Sequence, residues 1–252
     1  MGIVQKGVWW AADYLYAARA QLRALDPRVT PEAFGSGDRR PVLVIPGVYE
    51  PWRFMLPLIR TLHGDGHPVH VVDPLRANRR PVADGAATVS GYLAATGLED
   101  VVIVAHSKGG LIGKHVMALD PEGHRVRAMA AIATPFGGSA LARYQLSRTL
   151  RAFSPRDATL RRLGAERTVN RRVVSIFADF DPHIPEGSVL AGARNVRVAT
   201  GGHFRIPAHP ETLRVVREVA GAPAELDAAA AHDAAVTHDE APTHDSGRAE
   251  HP

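Results

Sequence analysis

No cysteine occurs in the chain, which excludes disulfides, thiolate metal ligands and a cysteine nucleophile. That absence fits a reducing cytosol at least as well as export. Long apolar runs are also missing, so no transmembrane helix is expected. The first residues do not read as a signal peptide, because Asp13 interrupts the apolar run 8–12 and no small-residue cleavage site comes after it. Position 6 is Lys6 where a myristoylation pattern needs Ser or Thr. A cytoplasmic location is the expectation these features leave. Lysine-rich runs and basic strips interleaved with aromatics are absent too, and no nucleic-acid partner is expected.

What is present is ordinary globular material. The 252 residues are 45% hydrophobic and 22% charged, enough for one sizeable core. The charge is unevenly placed. Seven carboxylates against one arginine give the segment 221–252 about −6, so the rest carries about +10 of the net +4. An arginine-rich, solvated surface accounts for that excess. Residues 221–252 are mostly Ala, His, Asp, Pro and Thr. Their three His-Asp pairs (His232-Asp233, His238-Asp239, His244-Asp245) could suit a metal, but such low hydrophobicity predicts a disordered tail.

Residues 4–25 read as an amphipathic helix, with Val8, Ala11, Ala12, Leu15, Ala18, Leu22 and Leu25 at helical spacing and Asp26-Pro27 as the stop. Trp9, Trp10, Tyr14 and Tyr16 crowd its first half. Two readings are open: a helix packed on the domain, or a peripheral anchor for lipid or a partner. The segment 1–40 is taken as this helix and a loop, ahead of a domain over 41–220.

Within that domain short apolar runs alternate with helical stretches. The runs are 41–45, 69–72, 101–105, 128–133, 173–177 and 196–199; the helical stretches are 53–63, 85–96, 109–119 and 211–220. The pattern predicts an α/β three-layer sandwich, a mostly parallel sheet of about six strands with helices on both faces. Residues 134–170 break the rhythm and are too long for a simple connection, which predicts a short helical, lid-like insertion. In such sheets ligands bind at the carboxyl ends of strands, so the residues just after each run are the candidates for chemistry.

The third run leads into Ala105-His106-Ser107-Lys108-Gly109-Gly110 and then a helix. A nucleophilic serine needs a sharp strand-to-helix turn with small residues two before and two after it, here Ala105 and Gly109. A serine also needs a base. The sixth run is succeeded by Gly202-His203-Phe204 and the fifth by Asp179-Phe180-Asp181-Pro182-His183-Ile184-Pro185. The order Ser, Asp, His makes His203 the base and an aspartate its orienter.

On these residues, with Pro46-Gly47 after the first run and Thr134-Pro135 after the fourth, the chain resembles the α/β-hydrolase superfamily, within it the lipase and esterase group. The resemblance covers about residues 40–220. It departs in having Ala105 for the usual glycine and no His-Gly pair after the first run. It implies Asp181 as the acid, because Asp-Pro-His-Ile-Pro is similar to the family's acid loop, with Asp179 as the competitor. Oxyanion donors are expected from the amide of Lys108 and that of Val48, with Tyr49 as neighbour. Tyr49, Trp52 and Phe54 are expected to form an apolar acyl side, with Phe136, Leu141, Tyr144, Leu146 and Leu150 covering it. His106 and His183 read as packing and loop residues, His209 as a loop or helix-start residue. The implied reaction is hydrolysis of a small-molecule carboxylic or lipid ester through an acyl-enzyme, with no metal or cofactor. A thioesterase, acyltransferase or amidase would use the same residues, and a binding protein could keep the fold without the reaction.

Overall fold

A computed structural model describes residues 2–144 and 147–222 of the chain. Leu146 and the three His-Asp pairs lie outside them. The helices are α1 (Ile3–Ala24), α2 (Leu56–Gly64), α3 (Val82–Thr96), α4 (Lys108–Leu119), α5 (Arg148–Arg151), α6 (Ala158–Ala165) and α7 (Pro210–Gly221). The strands are β1 (Val42–Ile45), β2 (Val69–Val71), β3 (Val101–His106), β4 (Val126–Ile132), β5 (Val173–Phe180) and β6 (Arg194–Gly201).

The six strands form one sheet in the order β2-β1-β3-β4-β5-β6, and every neighbouring pair is parallel. Strand residues alternate between two cores. Val42, Val44, Val102 and Val104 face a layer built from α2 and α7 (Leu58, Ile59, Val215, Val216). Leu43, Ile45, Ile103 and Ala105 face the layer of α3, α4 and α6 (Val89, Leu111, Ile112, Leu160). Central strands buried on both faces have no polar positions to alternate, which is why they read as continuous apolar runs.

Three differences from the sequence expectations bear on the site. Strand β5 continues through Phe180, three residues past the expected end, so Asp179 lies inside it. The pairing of β5 with β6 slips between Ala178 and Phe180, and such a bulge re-aims the residues beyond it. Helix α3 begins at Val82 rather than 85, directly after Pro81.

The third difference is the orientation of α1. The apolar stripe faces outward: Val8, Leu15 and Leu22 are 62%, 52% and 69% exposed. The inward face carries Trp9, Asp13, Tyr16, Ala20 and Ala24, with Asp13, Ala20 and Ala24 buried. A polar anchor sets this orientation. The Asp13 carboxylate accepts the N–H groups of His203 (2.8 Å), Phe204 (2.8 Å) and Arg205 (2.9 Å). Beside it Gly201 lies flat on the Trp9 ring, where a Cβ would come within 2.1 Å of a ring atom. Three amides on one buried carboxylate outweigh an apolar stripe that keeps little water-excluding partner surface. Helix α1 thus shares one compact unit, residues 1–221, with the sheet.

Candidate active site

The carboxyl ends of β3, β5 and β6 bring three side chains together. Ser107 comes directly after β3 in a strained turn, φ 51° and ψ −120°, at the head of α4. Two contacts make the turn closable. Its N–H donates to Ile132 O (2.8 Å), and Gly109 passes so close to β1 that a Cβ would meet Ile45 O at 2.2 Å. A glycine is obligatory there, while Ala105 fits within the core.

Ser107 Oγ lies 3.0 Å from His203 Nε2, and His203 Nδ1 lies 2.7 Å from Asp181 Oδ2. The other Asp181 oxygen accepts the N–H groups of His183 (2.8 Å) and Ile184 (3.1 Å), so both oxygens are satisfied. Burial opposes charge on Asp181, but His203 and the His183 amide more than offset it and hold its pKa below the usual value. Burial likewise disfavours the His203 imidazolium, and the Asp181 carboxylate overcomes this and raises its pKa. Asp179 is elsewhere, paired with Arg197 across β5 and β6. The structure therefore brings Asp181, and not Asp179, to His203.

The expected oxyanion donors are also placed. Tyr49 N–H is taken by Ala77 O (2.8 Å) and Gly47 N–H by Glu50 Oε2 (2.7 Å). Val48 N–H has no partner among the described residues, and Val48 lines the cavity over Ser107. Lys108 is the first residue of α4, where an N–H has no intrahelical acceptor and meets the positive end of the helix dipole. The Lys108 side chain turns away, donating to Asn78 O (2.8 Å) and Arg80 O, and burial brings its pKa down to about 8.

A cavity of about 350 Å³ opens above Ser107. Tyr49, Phe54, Leu141 and Leu150 contribute to its largely apolar wall. Three expected wall residues do not. Trp52 is buried instead against Phe34, with the Arg53 guanidinium over its ring. Phe136 packs in the core on the α4 side, under Lys114 Nζ. Tyr144 is exposed outside the cavity.

Sequence reasoning missed the contacts of four groups around the serine. Asp13 is the anchor of the His203 loop. Glu50 is buried, and its Oε2 accepts from Gly47 and contacts His106 Nδ1 (2.8 Å), while His106 Nε2 donates to His203 O (2.9 Å). Both His106 nitrogens are therefore engaged away from Ser107, and its place is structural. His183 stands in the cavity wall with its ring 5.1 Å from that of His203 and Nε2 3.1 Å from Tyr14 Oη. Burial, then the neighbouring His203, lowers its pKa to about 4, so it is a neutral wall residue. A buried acid in a helix facing a loop 190 residues away leaves no local sequence signal. Asp13 standing inside an otherwise apolar helix was the available hint. His209 accepts Glu211 N–H at the start of α7, as expected of a helix-start residue.

No family profile and no curated protein sequence matches the chain. Solved structures do. A Bacillus licheniformis lipase in its mature form superimposes with a TM-score of 0.59 at 15% identity, over 78% of this chain and 96% of that one. A membrane phospholipase A described as a bacterial virulence factor gives 0.55 at 19%, over 83% and 93%. An extracellular α/β-hydrolase from a Paenibacillus species gives 0.51 at 14%, over 73% and 100%. The chain has the α/β-hydrolase fold, with all six strands parallel. No helix among the described residues is long and apolar enough to cross a membrane.

Proposed function

We propose that the chain is a serine hydrolase of carboxylic esters with an apolar acyl group. The observation that carries this is the hydrogen-bonded series Ser107–His203–Asp181 on a strained elbow at the floor of an apolar cavity. His203 Nε2 takes the Ser107 hydroxyl proton as Oγ bonds to the ester carbonyl carbon. The carbonyl oxygen becomes an oxyanion held by the amides of Val48 and Lys108. The C–O bond to the alcohol breaks, and the imidazolium returns its proton to the leaving oxygen. His203 then deprotonates water, which attacks the acyl-enzyme and releases the acid and Ser107. Asp181 keeps the Nδ1–H tautomer and offsets the imidazolium charge. No step calls on a metal or cofactor.

Residues 134–170 act as a cover over the acyl side. Leu141, Leu150 and Phe153 of this segment line the cavity. It is tied down by Ser139 Oγ donating to His183 O (2.9 Å) and by Tyr49 Oη at 2.7 Å from Ser147 Oγ.

The test is hydrolysis of matched p-nitrophenyl ester, thioester and anilide substrates of rising acyl length. The reading expects turnover of the ester above the other two, and its loss in Ser107→Ala. Turnover of thioester or anilide above ester would reassign the reaction. Turnover that persists in a folded Ser107→Ala would remove the serine from it.

A further inference from the structure

Among the described residues the exposed large apolar side chains are gathered in one region. All but Tyr144 and Val189 lie on α1 and the residue that ends it, or in the cavity wall at Tyr49 and Leu141. A helix that has already packed one face against the sheet normally turns a polar face outward. Here α1 turns out Val4, Val8, Leu15 and Leu22, opposite the buried Asp13 and Ala20.

The width of this surface narrows the choice of occupant. A seam for a partner helix is a narrow stripe, and Val4, Val8, Leu15 and Leu22 alone would make one. Ile3, Trp10 and Tyr14 lie off that stripe and are exposed as well. They extend the apolar face around α1 toward the cavity, whose mouth Tyr14, Ala17 and Gln21 of the same helix help to form. Trp10 is 50% exposed and leans on Tyr14 at 4.7 Å between ring centroids. Such amphipathic rings suit the headgroup level of a lipid surface.

Charge narrows it further. The charges beside the outward face of α1 are positive, Arg19 and Arg23, while Lys6 sits over the Phe180 ring. The one carboxylate of the helix, Asp13, is turned inward and engaged by three amides. Next to the C-terminal half of α1, a second cavity of about 180 Å³ is lined by Arg23, Arg53 and Arg60 against the single acid Asp26. A symmetric pairing of two copies through this face would bring like charges together with no carboxylate on α1 to compensate. An anionic surface would meet them favourably.

We propose that the outward face of α1, continued by the rim of the cavity, docks on the surface of a bilayer containing anionic phospholipid. The helix lies in the headgroup plane with Val8, Leu15 and Leu22 inserted and Arg19 and Arg23 at the phosphates. The cavity mouth then opens along the bilayer surface, so an acyl ester enters without crossing water. The docking stands without the proposed reaction; only its use in presenting lipid esters rests on that reading.

The experiment is co-sedimentation of the full chain with vesicles of phosphatidylcholine, with and without phosphatidylglycerol, together with quenching of tryptophan by brominated lipid. Binding is expected to phosphatidylglycerol vesicles, weakened by added salt, with quenching that Trp10→Phe removes. The double variant Val8→Glu with Leu15→Glu is expected to lose about tenfold or more of the partitioning. Because both positions are exposed, it should keep the wild-type unfolding midpoint and hydrolysis of a short soluble ester. Arg19→Glu with Arg23→Glu should weaken binding to anionic vesicles at constant fold. Ser107→Ala should bind vesicles like wild type, which separates failure of docking from failure of the reaction. Absence of vesicle binding, or binding that neither double variant alters, overturns the proposal. So does a concentration-dependent dimer that Val8→Glu with Leu15→Glu dissolves, which would give the face to a second copy.

Discussion

His203 sits between a hydroxyl and a carboxylate, and in the proposed reaction the proton it holds decides when it can act as a base. Burial alone would favour the neutral ring; Asp181 reverses this and raises the pKa above the ordinary value of 6.5. A base must be unprotonated in the resting enzyme, so kcat/KM should rise with pH through a limb lying above 6.5. Asp181→Asn removes the charge that raises it, so the limb should move to lower pH while kcat falls by roughly 10²- to 10⁴-fold. Asp179→Asn should leave both nearly unchanged, because its partner is Arg197 on the neighbouring strand. A pH–rate profile on a soluble ester for the three proteins checks this. An Asp179→Asn profile that shifts while that of Asp181→Asn does not would exchange the two acids.

At the scale of elements, α1 and the segment 134–170 both hold residues of the proposed site. Asp13 gathers the amides of residues 203–205, and Gln21 Nε2 donates to Tyr49 O (2.9 Å) in the turn beside Val48. Removing the carboxylate leaves buried amides without an acceptor, at about 1–3 kcal/mol for an unsatisfied group. Asp13→Ala should therefore lower the denaturation midpoint at constant m-value. It should also depress kcat on a soluble ester, since the loop it frees carries His203. On the other side, Leu150 lines the cavity from the segment 134–170. Leu150→Trp should fill acyl space and lower kcat/KM for long-chain esters roughly tenfold, while an acetate ester is turned over as before.

For the whole molecule, legibility tracked the physics of each signal. Central strands buried on both faces leave continuous apolar runs, so a mostly parallel sheet of about six strands could be read. Ser107 and His203 could be singled out as candidates because each comes just after a strand at its carboxyl end, near Gly109 and Gly202. Asp181 was harder, since a β-bulge decides which acid turns inward and a bulge has no composition of its own. For helix α1 the sequence left the packing face open. Periodicity reports which residues are apolar, and here a buried carboxylate satisfied by distant amides chose the packing face instead. The same blindness hid the pairing of Glu50 with His106, which lie 56 residues apart.

The central claim is that Ser107 forms a covalent acyl intermediate through His203. It is tested most directly by treating the full chain with a fluorophosphonate and locating the adduct by peptide mass spectrometry. One adduct is expected, on the peptide carrying Ser107, lost in Ser107→Ala and strongly slowed in His203→Ala. A folded wild-type chain that takes no label, or an adduct on another residue that survives Ser107→Ala, would contradict it.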